Sequence, residues 1–170
     1  MTSSRFEQPD TRPDWAALSR RLRGVALVLT RRPDLADELA QQALARALAR
    51  LDRDDIQFPY LRKTLINLWL DEQRSLRRRI ARLSRVAATA APWHSGSDPC
   101  TTAELRTRLQ AVITALPARQ RAVLTLRLVE NMDYTAIAET LDCSVESVRT
   151  TLCDARRRLR SRLEEWRHDF

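Results

Sequence analysis

The chain has 170 residues, 44% of them hydrophobic and 5% aromatic, and a net charge of +8 carried almost wholly by arginine, since Lys63 is the one lysine. Such a length holds one ordinary domain or two small ones, and two glycines with so few aromatics exclude a strand-rich fold, which needs turn glycines and β-branched or aromatic runs. The cysteines Cys100, Cys143 and Cys153 form no C-x-x-C pair and have only His94 and His168 beside them, which offers no zinc-ligand spacing and fits a reducing compartment.

Residues 1–12 are polar, without the apolar core of a signal peptide, and no apolar run approaches the ~18 residues of a membrane helix. A cytoplasmic protein without membrane insertion is expected. Pro13 suits a first helical turn, and Trp15, Leu18, Leu22, Val25 and Leu29 trace one apolar face to about Thr30, with Arg20, Arg21 and Arg23 as a charged rim. After Arg31-Arg32-Pro33 a second helix starts at Asp34, with Asp37 and Glu38 near the positive end of its dipole. Leu35, Leu39, Ala43, Ala47 and Leu51 face inward, and Asp34, Glu38, Gln41, Ala45 and Asp52 project to the other side. An acidic and amide face does not suit phosphate. It suits a basic protein surface or plain solvent.

Residues 52–59 form a loop, and a third helix is expected over about 60–83, with Tyr60, Leu61, Leu65, Leu68 and Trp69 as core contacts. From Arg74 the helix becomes a basic tract of Arg74, Arg77, Arg78, Arg79, Arg82 and Arg85. Six arginines exceed what a helix C-terminus asks for. Beside Tyr60, Asn67 and Trp69 they fit nucleic acid, where aromatics stack on bases and guanidiniums neutralise phosphates. The small, Pro- and Gly-punctuated segment VAATAAPWHSGSDPC then reads as a linker, in which Trp93 and His94 stay without a role.

Beyond it Thr102 caps a helix carrying Leu105, Leu109, Val112, Ile113 and Leu116, and Pro117 opens another with Val123, Leu124, Leu126 and Leu128 packing inward. The segment DYTAIAETLDCSVESVRTTLCDARRRLR follows: a short helix over 134–141, a turn at Asp142-Cys143-Ser144, and a longer helix from Val145 to about Arg160. This is the outline of a helix-turn-helix, with Ser144 as N-cap of the second helix. Val148, Leu152, Ala155 and Leu159 recur on one apolar face, and Glu146, Thr150, Cys153, Asp154 and Arg157 lie opposite, flanked by Ser147 and Arg149. A solvated hairpin in a helical bundle is the plain alternative.

Two segments together resemble a known family. LPARQRAVLTLRLVENMDYTAIAETLDCSVESVRTTLCDARRRLR resembles region 4 of extracytoplasmic-function, or group 4, sigma factors of the sigma-70 family. Leu116, Pro117, Gln120, Arg121, Val123, Leu124, Leu126, Arg127, Tyr134, Ile137, Ala138, Cys143, Ser144, Val148, Arg149, Ala155 and Arg156 match its pattern. ADELAQQALARAL and YLRKTLINLWLDEQRS are similar to region 2, with Asn67, Asp71 and Arg74 matching.

The resemblance implies an all-α protein of two small helical domains, a three-to-four-helix region 2 bundle over 13–85 and a region 4 helix-turn-helix over 102–165, joined by a flexible linker over 86–101. It implies no catalysis and no cofactor or metal. The implied partners are core RNA polymerase, through the β′ clamp coiled coil and the β flap, promoter DNA, and an anti-sigma factor. Asp34, Glu38, Gln41 and Gln42 would dock polymerase. Tyr60, Lys63, Asn67, Asp71, Arg74, Arg77 and Arg78 would read the melted −10 element. Arg119, Arg121, Ser144, Glu146, Ser147, Arg149, Thr150, Cys153, Asp154 and Arg157 would face the −35 duplex.

Asp154 stands where the family usually has arginine, and Thr151, Cys153 and Gln42 also depart from its pattern. An acid at 154 repels phosphate and either accepts from a cytosine amine or changes the preferred base. A stand-alone helix-turn-helix regulator on duplex operator DNA is the competing function. It leaves the acidic second helix and the basic third helix without a purpose.

Overall fold

The computed structural model describes residues 14–83 and 111–168. The expected linker at 86–101 with Trp93, His94 and Cys100, and the start of the helix capped by Thr102, lie outside the described residues, as does the side chain of Trp166. Among the described residues the regular structure is helical: α1 (Trp15–Thr30), α2 (Pro33–Leu48), a 3-10 turn (Arg53–Asp55), α3 (Phe58–Leu83), α4 (Ala118–Leu128), α5 (Tyr134–Thr140) and α6 (Val145–His168). A helical stretch over 111–115 leads into Pro117. The chain divides into two compact units, Met1–Leu65 and Ile66–Phe170, and the division falls within α3.

In the first unit the Asp14 carboxylate accepts the Ala17 N–H at 2.9 Å and caps α1. Arg31 ends that helix in the left-handed conformation at φ 59°. Thr30 Oγ1 donates to the Ala26 carbonyl at 2.9 Å and accepts the Arg32 N–H at 3.2 Å, which satisfies groups that the helix end leaves open. The chain reverses there, and Pro33 supplies the first turn of α2.

α1 and α2 pack together through Leu22, Val25, Ala26 and Leu29 on one side and Ala36, Leu39, Ala40, Ala43 and Ala47 on the other, all buried. Alanine recurring on the α2 face lets the two backbones approach closely. Phe58, Leu61 and Leu65 of α3 and Ile56 before it are buried too, and the Arg21 guanidinium lies over the Phe58 ring at 3.8 Å. Arg23 pairs with Asp37 across α1 and α2, and this hydrogen bond raises the guanidinium pKa above its ordinary value.

In the second unit α4 is the central element: every residue from Ala118 to Leu126 except Arg119 is buried. α4 packs on α6, and α5 packs on both. Leu128, expected inside, is 68% exposed. The apolar surround of α4 ends at Leu126, and the last turn opens to solvent.

Asn131, at φ 51°, and Asp142, at φ 47°, lie in the turns before and after α5 in the left-handed conformation, which asparagine and aspartate tolerate better than most side chains. At the second turn the Cys143 N–H reaches the Ala138 carbonyl at 3.0 Å and closes the end of α5. Asp133 caps α5 by accepting the Ala136 N–H at 2.7 Å, and Ser144 caps α6 by accepting the Ser147 N–H at 3.1 Å.

Candidate nucleic-acid interface

The α5–turn–α6 segment places an exposed polar surface on a rigid base. Val148, Leu152 and Ala155 are buried, and they hold α6 from one side. At 100° per residue Cys153, Glu146, Arg157, Thr150 and Asp154 fall on the opposite side, flanked by Ser147 and Arg149. Glu146, Arg149, Thr150, Cys153 and Arg157 are exposed, and Ser147 and Asp154 are half-buried. This surface combines guanidinium, hydroxyl and carboxylate groups on a helix that leaves a capped turn. Such a helix can enter a major groove and address base edges.

The charged groups of this face are already paired. Arg157 donates to Asp154 at 2.6 Å, and Arg149 lies 3.8 Å from the Glu146 carboxylate, both at i,i+3 spacing. Thr150 Oγ1 donates to the Glu146 carbonyl at 3.0 Å. Ser144 is exposed, but its hydroxyl oxygen is engaged as the cap.

Residues 106–159 match the family described as Sigma-70, region 4. The chain is 31% identical over 147 residues to the probable RNA polymerase sigma factor RfaY of Xanthomonas campestris pv. campestris, in an alignment covering 82% of this chain and 36% of that protein. It is 27% identical over 142 residues to the ECF RNA polymerase sigma factor SigW of Bacillus subtilis, covering 76% of each. The fold is similar to that of the sigma factor RpoE from Bartonella quintana, solved in complex with the anti-sigma factor NepR. The TM-score there is 0.63 at 20% identity, over 88% of this chain and 93% of the other. Residues 106–159 belong to the Sigma-70, region 4 family, and the chain as a whole is similar to extracytoplasmic-function sigma factors. It spans about a third of the length of RfaY, and about three quarters of SigW.

The geometry sorts the residues that the sequence singles out in this chain. Arg119 is exposed at the start of α4. Arg121 is buried, and its guanidinium donates to the carbonyls of Thr114 and Leu116, the latter at 3.3 Å. It ties the end of the preceding helical stretch to α4 and is withdrawn from the surface set.

On α3, Tyr60, Lys63, Asn67, Asp71, Arg74 and Arg78 project within an arc of about 80°. Tyr60, Lys63 and Asn67 are half-buried, and Asp71, Arg74, Arg77 and Arg78 are exposed. Arg74 donates to Asp71 at 2.8 Å. From Arg74 to Arg82 the helix is exposed all round, and its apolar Leu76 and Ile80 are 47% and 54% accessible. Trp69, expected as a core contact and also named beside this surface, is fully buried and so does not stack on a base. At 100° per residue it falls on the side of α3 opposite Tyr60 and Arg78.

On α2, Asp34, Glu38, Gln41 and Gln42 are all exposed, as the projection requires. Asp34 accepts from Arg32 at 2.5 Å, and that hydrogen bond holds its carboxyl below the ordinary carboxylate range. Gln42 donates to Glu38 at 3.1 Å. Gln41 completes a surface of amides and acids about two helical turns long. Among the described residues no group of His, Cys, Asp or Glu is arranged to hold a metal ion, and no helix is long and apolar enough to cross a membrane.

Proposed function

We propose that this chain is a detachable promoter-recognition subunit of RNA polymerase that directs transcription initiation and leaves catalysis to the polymerase. The observation that carries this reading is the exposed polar face of α6, set on a buried apolar face beyond a turn closed by the Cys143 N–H on the Ala138 carbonyl and capped by Ser144. In this proposal residues 102–165 read the −35 element as duplex through Arg149, Thr150, Arg157 and their neighbours. Residues 13–85 dock polymerase through α2 and hold the melted −10 strand along α3, and residues 86–101 link the two. A linker of that length has an r.m.s. reach of about 20 Å.

Exposed Arg74, Arg77 and Arg78 beyond half-buried Tyr60 and Asn67 support the −10 part, because a single strand needs both a cationic track and polar or aromatic groups for unstacked bases. Glu38, Gln41 and Gln42 support docking on a basic surface such as the β′ clamp coiled coil, and region 4 would meet the β flap. The complex of RpoE with NepR supports an anti-sigma partner for this chain as well. The work is cytoplasmic and uses no cofactor.

At position 154 the ion pair with Arg157 favours a role in aiming that arginine over direct acceptance from a cytosine amine. The purified chain, added to core RNA polymerase and promoter DNA selected from a genomic library, is expected to give initiation at defined start sites. Binding to duplex DNA without any association with core would replace this reading with that of a stand-alone regulator.

A further inference from the structure

The Tyr134 ring, at the first residue of α5, lies beneath two guanidiniums from different helices. Arg149 of α6 has its Cζ 5.9 Å from the ring centroid, and Arg127 of α4 has its Cζ at 5.4 Å. Arg127 also donates to the Met132 carbonyl at 2.7 Å, and Met132 N–H returns to the Leu126 carbonyl at 3.1 Å. Asp133 caps the helix on which Tyr134 stands. The turn that carries the ring is therefore fastened on both sides.

Arg149 is otherwise an exposed side chain, 60% accessible, with the Glu146 carboxylate 3.8 Å away. A free arginine loses rotamer freedom when it is fixed in one pose. A guanidinium that reads a guanine must present two N–H groups in one plane to O6 and N7, so its pose decides the contact. A ring beneath it restricts the pose before DNA arrives, and the long Glu146 contact can be exchanged for a base without removing that support.

We infer that Tyr134 is a positioning residue for promoter selectivity: it holds Arg149 in the pose that reads one base pair of the duplex element. The inference rests on the −35 reading above and deepens it. Tyr134 itself touches no base. Arg127 holds the turn from behind, and the α4–α5 corner acts through the ring on the recognition helix.

The test uses the full chain assembled on core RNA polymerase and a library of promoter duplexes randomised across the upstream element. Selected sequences are compared for the wild type, Tyr134→Phe, Tyr134→Leu, Tyr134→Met, Arg149→Ala and the Tyr134→Leu/Arg149→Ala double variant. Thermal unfolding of each variant is recorded alongside. Tyr134→Phe keeps an aromatic face and should keep the wild-type preference. Tyr134→Leu and Tyr134→Met should lose preference at one base pair, the same one that Arg149→Ala erases. Their affinity for the preferred sequence should fall about two- to fivefold, as expected for an exposed cation–π contact. The double variant should be no worse than Arg149→Ala alone.

Equal weakening on every sequence with the preference intact would show a merely structural tyrosine and overturn the inference, as would additive losses in the double variant. Tyr134→Met retains bulk, so it decides the matter if Tyr134→Leu does not fold. A wild type that selects no base anywhere in the element removes the −35 reading together with the inference. That result is visible before any substitution is made.

Discussion

Arg119 and Arg121 are two residues apart and identical in charge, yet one is exposed at the start of α4 and the other is buried with its guanidinium on two backbone carbonyls. Removing Arg121 takes its hydrogen bonds from those two carbonyls and its packing from a buried position. Arg121→Met is expected to lower the unfolding free energy of the α4–α6 unit by about 1–3 kcal/mol, measured by denaturant titration with the m-value unchanged. Arg119→Ala should leave unfolding unaltered and reduce the salt dependence of promoter binding by about one phosphate contact. A stable Arg121→Met variant with reduced salt dependence would reverse the two roles. Asp34 shows the same division on α2, since Arg32 already engages its charge. Glu38 and Gln41 therefore carry more of the docking proposal.

At the scale of the helix, α2 shows how composition becomes packing. Ala36, Ala43 and Ala47 are completely buried, and with Leu39 and Ala40 they form the side on which α1 rests. A methyl group at each contact sets the separation of the two helices, so added volume has no free space to enter. Ala43→Leu is expected to destabilise the first unit by about 1–3 kcal/mol, read from its thermal transition. A neutral result would mean that α1 stands farther from α2 than their packing indicates. The outward side of the same helix carries charge and amide, and it is exposed. α6 follows the same rule with larger side chains: Val148, Leu152 and Ala155 are buried, and Leu159 is half-buried.

Over the whole molecule the proposed labour is divided between chain segments, and the division can be tested by separating its functions. Glu38→Arg combined with Gln41→Ala should weaken association with core polymerase by tenfold or more, on the order of the 1.4 kcal/mol or above that two lost contacts supply. The same double variant should bind duplex carrying the −35 element as the wild type does. Measuring both on the full chain separates the roles, and equal loss of both would join them. The net charge of +8 acts at this scale as well. It draws the protein toward DNA of any sequence, while selectivity remains with the few groups that reach base edges.

Periodicity by itself determined the helices, their inward faces and the capped turn before α6, because apolar spacing and short-range caps are properties of neighbouring residues. Ser144, Val148, Leu152 and Ala155 were legible in that way, and so was the outward set on α2. The motif of region 4 was likewise carried by residue order. Tertiary structure alone decided which members of a like-charged or apolar group face solvent: Arg121 went inside, and Leu128 outside. It alone brought Arg127, Tyr134 and Arg149 together from three helices. Burial and contact between distant segments depend on how helices pack, and helical spacing repeats too simply to encode that choice.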